Sequence, residues 1–233
     1  MKFDRLAPHY DRLEALTAGS RLQRARAQWL EGLVGCRNVL SVGEGHGRFA
    51  EAFLARYPGA KLTCVEASPA MIAMARRRTR ASAHRVRWEN AEVLAWRPAE
   101  KYDAIVTCFF LDCFPPATLA AVVRHLAASA EEKAVWLVTD FALPPRGPAR
   151  WRAQAVHALM YAFFRSVVAL PARRLTSPDS LLATQGFRLM RRREFEWGLV
   201  RTDLWQRGQA EAGPAGPDKK PVLRGQDGRG TRA

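Results

Sequence analysis

The stretch Val39-Leu40-Ser41-Val42-Gly43-Glu44-Gly45-His46-Gly47-Arg48-Phe49 predicts a strand, a tight glycine turn and a helix in direct succession. A short apolar, β-branched run leads into three glycines at alternate positions, and helix-forming residues follow. Glycine allows positive φ angles and carries no Cβ, so a ligand can approach the backbone of such a turn closely. The helix that begins there directs free backbone N–H groups towards whatever lies on the turn.

Predicted strands and helices alternate along most of the chain. Strands are predicted over residues 38–42, 61–66, 85–89, 102–110 and 134–141, followed by an antiparallel pair at 187–195 and 197–205. Helices are predicted twice within residues 3–34, and then at 49–57, 69–78, 117–129, 150–169 and 176–186. Strands that alternate with helices form right-handed crossovers. The predicted fold class is therefore α/β: a doubly wound, mostly parallel seven-stranded sheet with an antiparallel C-terminal strand and N-terminal helices.

The composition predicts one globular domain followed by a tail. The chain has 233 residues, of which 48% are hydrophobic, and this suits a single domain with a sizeable core. From Gly208 onward Gly, Pro, Asp, Gln, Lys and Arg dominate, and little remains to bury. We therefore predict a domain over residues 1–207 and a disordered, basic tail over residues 208–233.

The net charge of +15 is compatible with an anionic partner, which could be nucleic acid, a membrane surface or an acidic substrate. The arginines are spread over many segments and alanine is abundant throughout, which favours a composition bias over a dedicated nucleic-acid site. Nucleic acid is therefore not the favoured partner, although the charge alone does not exclude it.

Features of export and of metal binding are not apparent in the sequence. The N-terminal residues lack the apolar region of a signal peptide, and no apolar run approaches the roughly 18 residues of a membrane span. The four cysteines have no CxxC spacing and are expected to be reduced, as in cytosolic proteins. The five histidines are scattered without ligand spacing. We predict a cytoplasmic location and no metal site.

Polar residues follow several predicted strands at the edge of the sheet where ligands bind. Glu66 ends the second strand, Asn90-Ala91-Glu92 follows the third, and the segment 108–112 ends the fourth. An acid about 20 residues beyond the glycine turn is where a doubly wound sheet binds ribose hydroxyls. The glycines read G-x-G-x-G rather than G-x-G-x-x-G, so the pyrophosphate fingerprint of dinucleotide folds is absent.

Together these residues resemble the class I S-adenosylmethionine-dependent methyltransferases, with residues 42–47 as the first motif of that family. The opening Phe3-Asp4-Arg5-Leu6-Ala7-Pro8-His9-Tyr10-Asp11 looks like the F-D-x-x-A-x-x-Y-D pattern of the ubiquinone/menaquinone methyltransferase-like branch (methyltransferase type 11/12). Asn90-Ala91-Glu92-x-Leu94 resembles the loop after strand three in the same branch. The resemblance covers residues 1–140 at the level of motifs.

The resemblance implies S-adenosyl-L-methionine as cofactor and a set of contact residues. These residues are Tyr10, Gly43, Glu44, Gly45, Gly47, Glu66, Ala67, Met71, Asn90, Ala91 and Cys108. Glu66 would hold the adenosyl ribose, and Asn90-Ala91 would face the adenine. The family usually has an acid two residues before the first glycine, where this chain has Ser41, and Glu44 is the candidate replacement.

No catalytic residue is assigned from the sequence. Methyl transfer from a sulfonium is a direct displacement, so a base is needed only where the acceptor must lose a proton. Asp112 is interpreted as a local turn residue, and His46 as a contributor of backbone to the turn. His157 and Tyr161 share a helical face, for which core packing or solvent exposure is favoured over a role as general base.

The apolar helix at 150–169 has two interpretations. It carries a broad apolar stripe flanked by Arg150, Arg152 and Arg165. The favoured interpretation is a helix that packs on the sheet or covers the site. The alternative is a helix that covers a lipophilic acceptor or touches an anionic membrane.

The predicted function is methyl transfer to a small acceptor, quinone-like or otherwise lipophilic in one form of the hypothesis. An RNA or protein methyltransferase and a non-catalytic cofactor-binding protein are the alternatives. The (N/D)-P-P-(Y/F) signature for planar amino groups does not follow strand four, where Leu111-Asp112-Cys113-Phe114 stands. The acceptor and the oligomeric state are not assigned.

Overall fold

The computed structural model of the chain describes residues 19–208, and seven strands form one sheet in the order β3-β2-β1-β4-β5-β7-β6. The strands are β1 (Asn38–Val42), β2 (Lys61–Glu66), β3 (Val86–Asn90), β4 (Tyr102–Cys108), β5 (Ala130–Phe141), β6 (Phe187–Phe195) and β7 (Val200–Arg207). The helices are α1 (Gly19–Ala27), α2 (Arg48–Arg56), α3 (Pro69–Arg78), α4 (Pro116–Ala128), α5 (Pro148–Val168) and α6 (Asp179–Thr184). The predicted doubly wound α/β fold is confirmed.

Strands β1 to β5 pair in parallel, whereas β7 runs antiparallel to both β5 and β6. Strand β4 was predicted to reach residue 110 but ends at Cys108, because Phe109 adopts a φ of 53° that leaves the extended region. The last strand was predicted at 197–205 and instead spans Val200–Arg207, because a turn occupies residues 196–199. Strand β5 begins four residues earlier than predicted, at Ala130 rather than residue 134.

Between residue 19 and β1, the second predicted helix ends earlier than the sequence predicts. Helix α1 ends at Ala27, and a 3-10 turn at Leu30–Leu33 follows it. Trp29 separates the two with a positive φ of 63°, and its indole N–H donates to the Thr202 carbonyl oxygen at 3.2 Å. The change of direction therefore places α1 against β7. The first predicted helix lies in residues 3–18, outside the described residues.

Apolar clusters cover both faces of the sheet, which explains why its central strands are almost continuously hydrophobic. One cluster joins α4, including Leu119 and Leu126, to Trp136 of the sheet. The other joins Phe49 and Phe53 of α2 to the opposite face. Both clusters hold the sheet fixed, so the loops at the carboxyl ends of β1, β2, β4 and β5 have a rigid base.

The predicted C-terminal tail lies almost entirely outside the described residues. The tail at 208–233 is described only at its first residue, so the boundary at 207 stays a prediction. Within residues 19–208, no helix combines the length and apolarity needed to cross a membrane.

Candidate functional site

The glycine turn connects β1 to α2. At two of its positions neighbouring atoms leave no room for a Cβ, so only glycine fits. Gly43 has a φ of +68°, and a Cβ added there would lie 2.1 Å from the Phe110 ring. Gly47 has a φ of +88°, and its Cβ would lie 2.8 Å from the Ala75 Cα on α3. The first glycine therefore lets the loop after β4 cover the turn, and the second lets α2 and α3 pack closely.

A pocket that is partly open to solvent lies at the carboxyl ends of β1, β2 and β4. The predicted residues that line this pocket are Gly43, Glu44, Gly45, Glu66, Ala67, Met71, Ala91 and Cys108. The sheet edge thus brings together residues from three separate motifs.

Two predicted contact residues lie outside the pocket lining, and a third lies outside the described residues. Gly47 packs against Ala75 and does not line the pocket. Asn90 also lies outside the lining, because its side-chain amide donates to the Glu66 and Ala67 carbonyl oxygens at 3.1 and 3.0 Å. It thereby positions the loop after β2. Tyr10 lies outside the described residues.

Glu66 joins the glycine turn to the end of β2. Its two carboxylate oxygens accept the backbone N–H groups of Gly45 and Ser68, each at 2.9 Å. The residue is only 8% exposed, and burial raises the pKa of its carboxyl above the ordinary value, against these hydrogen bonds. Each oxygen retains a lone pair, so the carboxylate can accept further hydrogen bonds from a ligand in the pocket.

Glu44 turns its carboxyl group back towards the end of β1. One oxygen accepts the Ser41 hydroxyl and the other accepts the Ala50 N–H of α2 at 2.8 Å. Burial raises the pKa of Glu44 to about 7, although these hydrogen bonds and the positive charge of Arg26 act in the opposite direction. A cation bound beside this carboxyl would favour its ionised form.

The sequence gives no signal for Arg26, which lines the same pocket from α1. Arg26 is 6% exposed, and its guanidinium carbon lies 5.0 Å from the centre of the Phe109 ring. Phe109 in turn packs on Phe141 with a centroid distance of 5.3 Å. Other lining residues not predicted are Val42, His46, Phe49, Val65, Ser68, Glu92, Val93, Phe109, Phe110 and Cys113. The direction of α1 brings Arg26 into the pocket, and the loop after β4 brings Phe109, Phe110 and Cys113.

A buried carboxyl pair lies behind the pocket wall at the ends of β4 and β5. Asp140 Oδ1 accepts the Phe110 N–H at 3.1 Å, while Oδ2 has no N–H or O–H donor within the described part of the chain. The side chains of Asp112 and Asp140 hydrogen-bond to each other, which requires that one of them carries a proton. Burial raises the pKa of Asp112 to about 6 and holds that of Asp140 well above its ordinary value. Burial and the neighbouring Asp112 therefore favour the protonated form of Asp140 over that of its partner.

Helix α5 covers this pair with His157 and Tyr161. The Tyr161 hydroxyl donates to the Asp112 carbonyl oxygen at 3.1 Å. His157 packs its ring on Phe141 at 5.7 Å, and burial lowers its pKa. Both side chains are buried, in keeping with the favoured packing role. His46 Nε2 accepts a hydrogen bond from Arg48 Nε at 3.3 Å.

Similarity to known proteins agrees with this geometry. Residues 39–132 match the family described as methyltransferase domain. Over 150 residues the chain is 31% identical to a demethylmenaquinone methyltransferase of Thermus thermophilus, an alignment that covers 62% of this chain and 66% of that relative. The chain thus spans just under two thirds of the length of this curated relative.

Solved structures share the fold at lower identity. Mitomycin 7-O-methyltransferase superimposes with a TM-score of 0.68 at 21% identity, covering 89% of this chain and 61% of that one. The magnesium protoporphyrin IX methyltransferase of Synechocystis, solved with bound S-adenosylhomocysteine, superimposes with a TM-score of 0.60 at 17% identity, covering 80% and 83%.

In its sheet order, its glycine turn and these matches the chain is similar to the class I S-adenosylmethionine-dependent methyltransferases. Within that class, the similarity to a demethylmenaquinone methyltransferase agrees with the ubiquinone/menaquinone methyltransferase-like branch predicted from the opening residues.

Proposed function

We propose that this chain transfers a methyl group from S-adenosyl-L-methionine to a small acceptor. The observation that best supports this proposal is the position of Glu66 at the end of β2. Its side chain is buried, accepts the Gly45 N–H of the glycine turn, and lines the pocket with lone pairs that can accept further hydrogen bonds. A carboxylate at this point of a doubly wound sheet accepts the two hydroxyls of a ribose. Relatives of the same fold with bound S-adenosylhomocysteine support this choice of cofactor.

The residues around Glu66 fit the remaining parts of the cofactor. Ala91 and Met71 line the pocket beside the end of β2 and offer an apolar surface to an adenine ring. Glu44 and Arg26, which lie close enough to influence each other's charge, offer an anion and a cation to the amino and carboxyl groups of the methionine end. This assignment of contacts is part of the proposal.

The chain's own contribution to such a reaction is binding, orientation and exclusion of water. When bound, S-adenosylmethionine supplies an activated methyl group together with its own leaving group. Phe109, Phe110 and Cys113 form the wall of the pocket beyond Cys108 and would keep water away from the acceptor. A proton released by an acceptor hydroxyl would need a base only at or before the displacement.

The same wall supports an apolar, small-molecule acceptor. Two aromatic rings and a thiol, those of Phe109, Phe110 and Cys113, line the pocket. The similarity to a demethylmenaquinone methyltransferase favours a quinone-like ring over a nucleotide or a protein side chain. An RNA or protein methyltransferase is therefore the less favoured alternative, and a cytoplasmic location stays a prediction.

Calorimetric titration with S-adenosylhomocysteine tests the cofactor. We expect micromolar binding by the wild type and a loss of roughly 10- to 100-fold in Glu66→Gln, because one carboxylate oxygen becomes an amide that repels a backbone N–H. Glu100→Gln is the matched control, since Glu100 is exposed and remote from the pocket lining. Absence of binding at millimolar ligand would refute the proposal.

A transfer assay tests the acceptor class. Methyl-labelled S-adenosylmethionine is incubated with the full chain and either a reduced prenylated naphthoquinone in detergent or unfractionated transfer RNA. Label in the quinol fraction supports the proposal. Label in RNA alone would replace the small-molecule acceptor with the alternative.

A further inference from the structure

Helix α5 presents two faces of different character. Its inner face is buried through Ala153, His157, Tyr161 and Val168. Its outer face carries Trp151, Leu159 and Phe163, which are 72%, 76% and 39% exposed. Monomeric proteins seldom expose contiguous large apolar side chains without a binding role. The outer face of α5 therefore needs an explanation that packing inside residues 19–208 does not supply.

The apolar surface extends beyond the helix to the turn between β6 and β7. Trp197 in that turn is 79% exposed. Arg152 of α5 lies over its ring at 5.3 Å and donates to the Glu196 carbonyl oxygen at 2.9 Å. Arg152, the residue after Trp151, thus joins α5 to Trp197. Tryptophan is the side chain most enriched at the boundary between lipid and water.

The charge along α5 and the loops that flank it is of one sign. No Asp or Glu occurs anywhere in residues 142–178. The same segment contains six arginines: Arg146, Arg150, Arg152, Arg165, Arg173 and Arg174. All but Arg150 are exposed. Basic residues beside exposed Trp, Leu and Phe are the combination that binds anionic lipid headgroups and the upper acyl region together.

We propose that the outer face of α5, extended by Trp197, docks on the surface of an anionic lipid bilayer. The arginines favour an anionic partner, because opposite charges attract. The exposed Leu159 and Phe163 favour a partner with an apolar interior, which a lipid bilayer has and the phosphate backbone of a nucleic acid lacks. The inference goes beyond methyl transfer and does not depend on it.

The inner face of α5 links this surface to the candidate site. Tyr161 bonds to the backbone of Asp112, and the adjacent Cys113 lines the pocket. Docking by the outer face therefore brings the acceptor side of the pocket close to the bilayer. A membrane-dissolved acceptor could reach it without crossing bulk water.

Vesicle co-sedimentation of the full chain, without cofactor, tests the inference. We expect binding to mixed phosphatidylcholine–phosphatidylglycerol vesicles, weaker binding as salt is raised, and little binding to pure phosphatidylcholine. The double variant Trp151→Gln/Leu159→Gln is expected to lose roughly 10-fold or more in partitioning, because two apolar side chains no longer enter the interface. Its circular dichroism and S-adenosylhomocysteine affinity should match the wild type, since both positions point away from the pocket.

The matched control is Val34→Gln/Met190→Gln, which changes two apolar side chains that are 66% and 53% exposed outside this surface. Its vesicle binding should equal that of the wild type. The apolar variants are decisive because residues 209–233 also carry basic side chains, which attract anionic vesicles by charge alone. Equal binding by wild type and α5 variant would overturn the inference, as would equal binding to neutral vesicles. A dimer that the α5 variant dissociates, with no vesicle binding, would assign the face to a second copy instead.

Discussion

The hydroxyl of Ser41 donates a hydrogen bond to the carboxyl group of Glu44, three residues later in the chain. We propose that Glu44 supplies, from within the glycine turn, the acid for which Ser41 stands at the end of β1. Ala50 holds the second oxygen through its N–H at 2.8 Å, so the carboxyl lies at the junction of β1 and α2. Ser41 carries no charge itself, but its hydroxyl helps to position the carboxyl group of Glu44.

Exchange of the two side chains tests this pairing. Glu44→Gln should weaken S-adenosylhomocysteine binding roughly 10- to 100-fold, because a charge-assisted hydrogen bond is lost. Ser41→Ala should weaken it less, since Ala50 still holds the carboxylate. The swap variant Ser41→Asp/Glu44→Ser should bind more tightly than Glu44→Gln in calorimetry. A swap variant no better than Glu44→Gln would show that the acid is needed at position 44 itself.

Stability should fall as pH rises through neutrality. The pKa of Glu44 is raised from its ordinary value of 4.5 to about 7, so the folded state binds more protons than the unfolded state between these values. This contribution is complete below about pH 4.5 and is lost by pH 7 to 8, with a size on the order of 3 kcal/mol. Urea denaturation between pH 5 and 8 measures it. Glu44→Gln should flatten the profile, and an unchanged slope in that variant would place the effect elsewhere.

Gly43→Ala should destabilise the fold. A Cβ at this position lies 2.1 Å from the Phe110 ring, and the φ of +68° is unfavourable for alanine. Overpacking and backbone strain together predict a loss of about 2–4 kcal/mol in urea denaturation. Gly59→Ala is the control, because nothing lies within 4 Å of its added Cβ, and its cost should stay within about 0.5 kcal/mol. Equal effects of the two variants would contradict the close contact.

Asp140→Asn should be tolerated near neutral pH, whereas Asp140→Ala should not. An amide keeps the oxygen that accepts the Phe110 N–H and supplies the donor that protonated Asp140 directs to Asp112. The alanine variant leaves buried groups unpaired and should lose about 2–4 kcal/mol. Because the pKa of Asp140 is raised, the wild type should lose stability as the pH rises through that raised pKa, while the asparagine variant does not. Similar losses for both variants at pH 7 would argue against a shared proton.

Local signals in the sequence were sufficient for the elements that form the cofactor side of the site. Ser68 caps α3 by accepting the Met71 N–H, and Pro69 begins the helix, as their chemistry predicts. Glu66 ends β2 because an apolar run stops there. In each case the determining residues are neighbours in the chain, so no knowledge of tertiary structure was needed.

The groups that escaped prediction depend on contacts between distant segments. Arg26 reaches the pocket only because Trp29 turns the chain with a positive φ, which tryptophan seldom adopts. Asp112 and Asp140 meet because β4 and β5 pair with Cys108 opposite Thr139, so the residues beyond both strands converge. No periodicity or spacing in the sequence reports such a register.

Strand β7 is the last described strand in the chain, yet it lies between β5 and β6 rather than at an edge of the sheet. During synthesis on a ribosome, one edge of the 12-residue strand β5 lacks a hydrogen-bonding partner strand until residues 200–207 have been made. An open strand edge of that length is a template for pairing with other chains. Nascent or prematurely terminated products of this protein should therefore depend on chaperones more than the finished chain does.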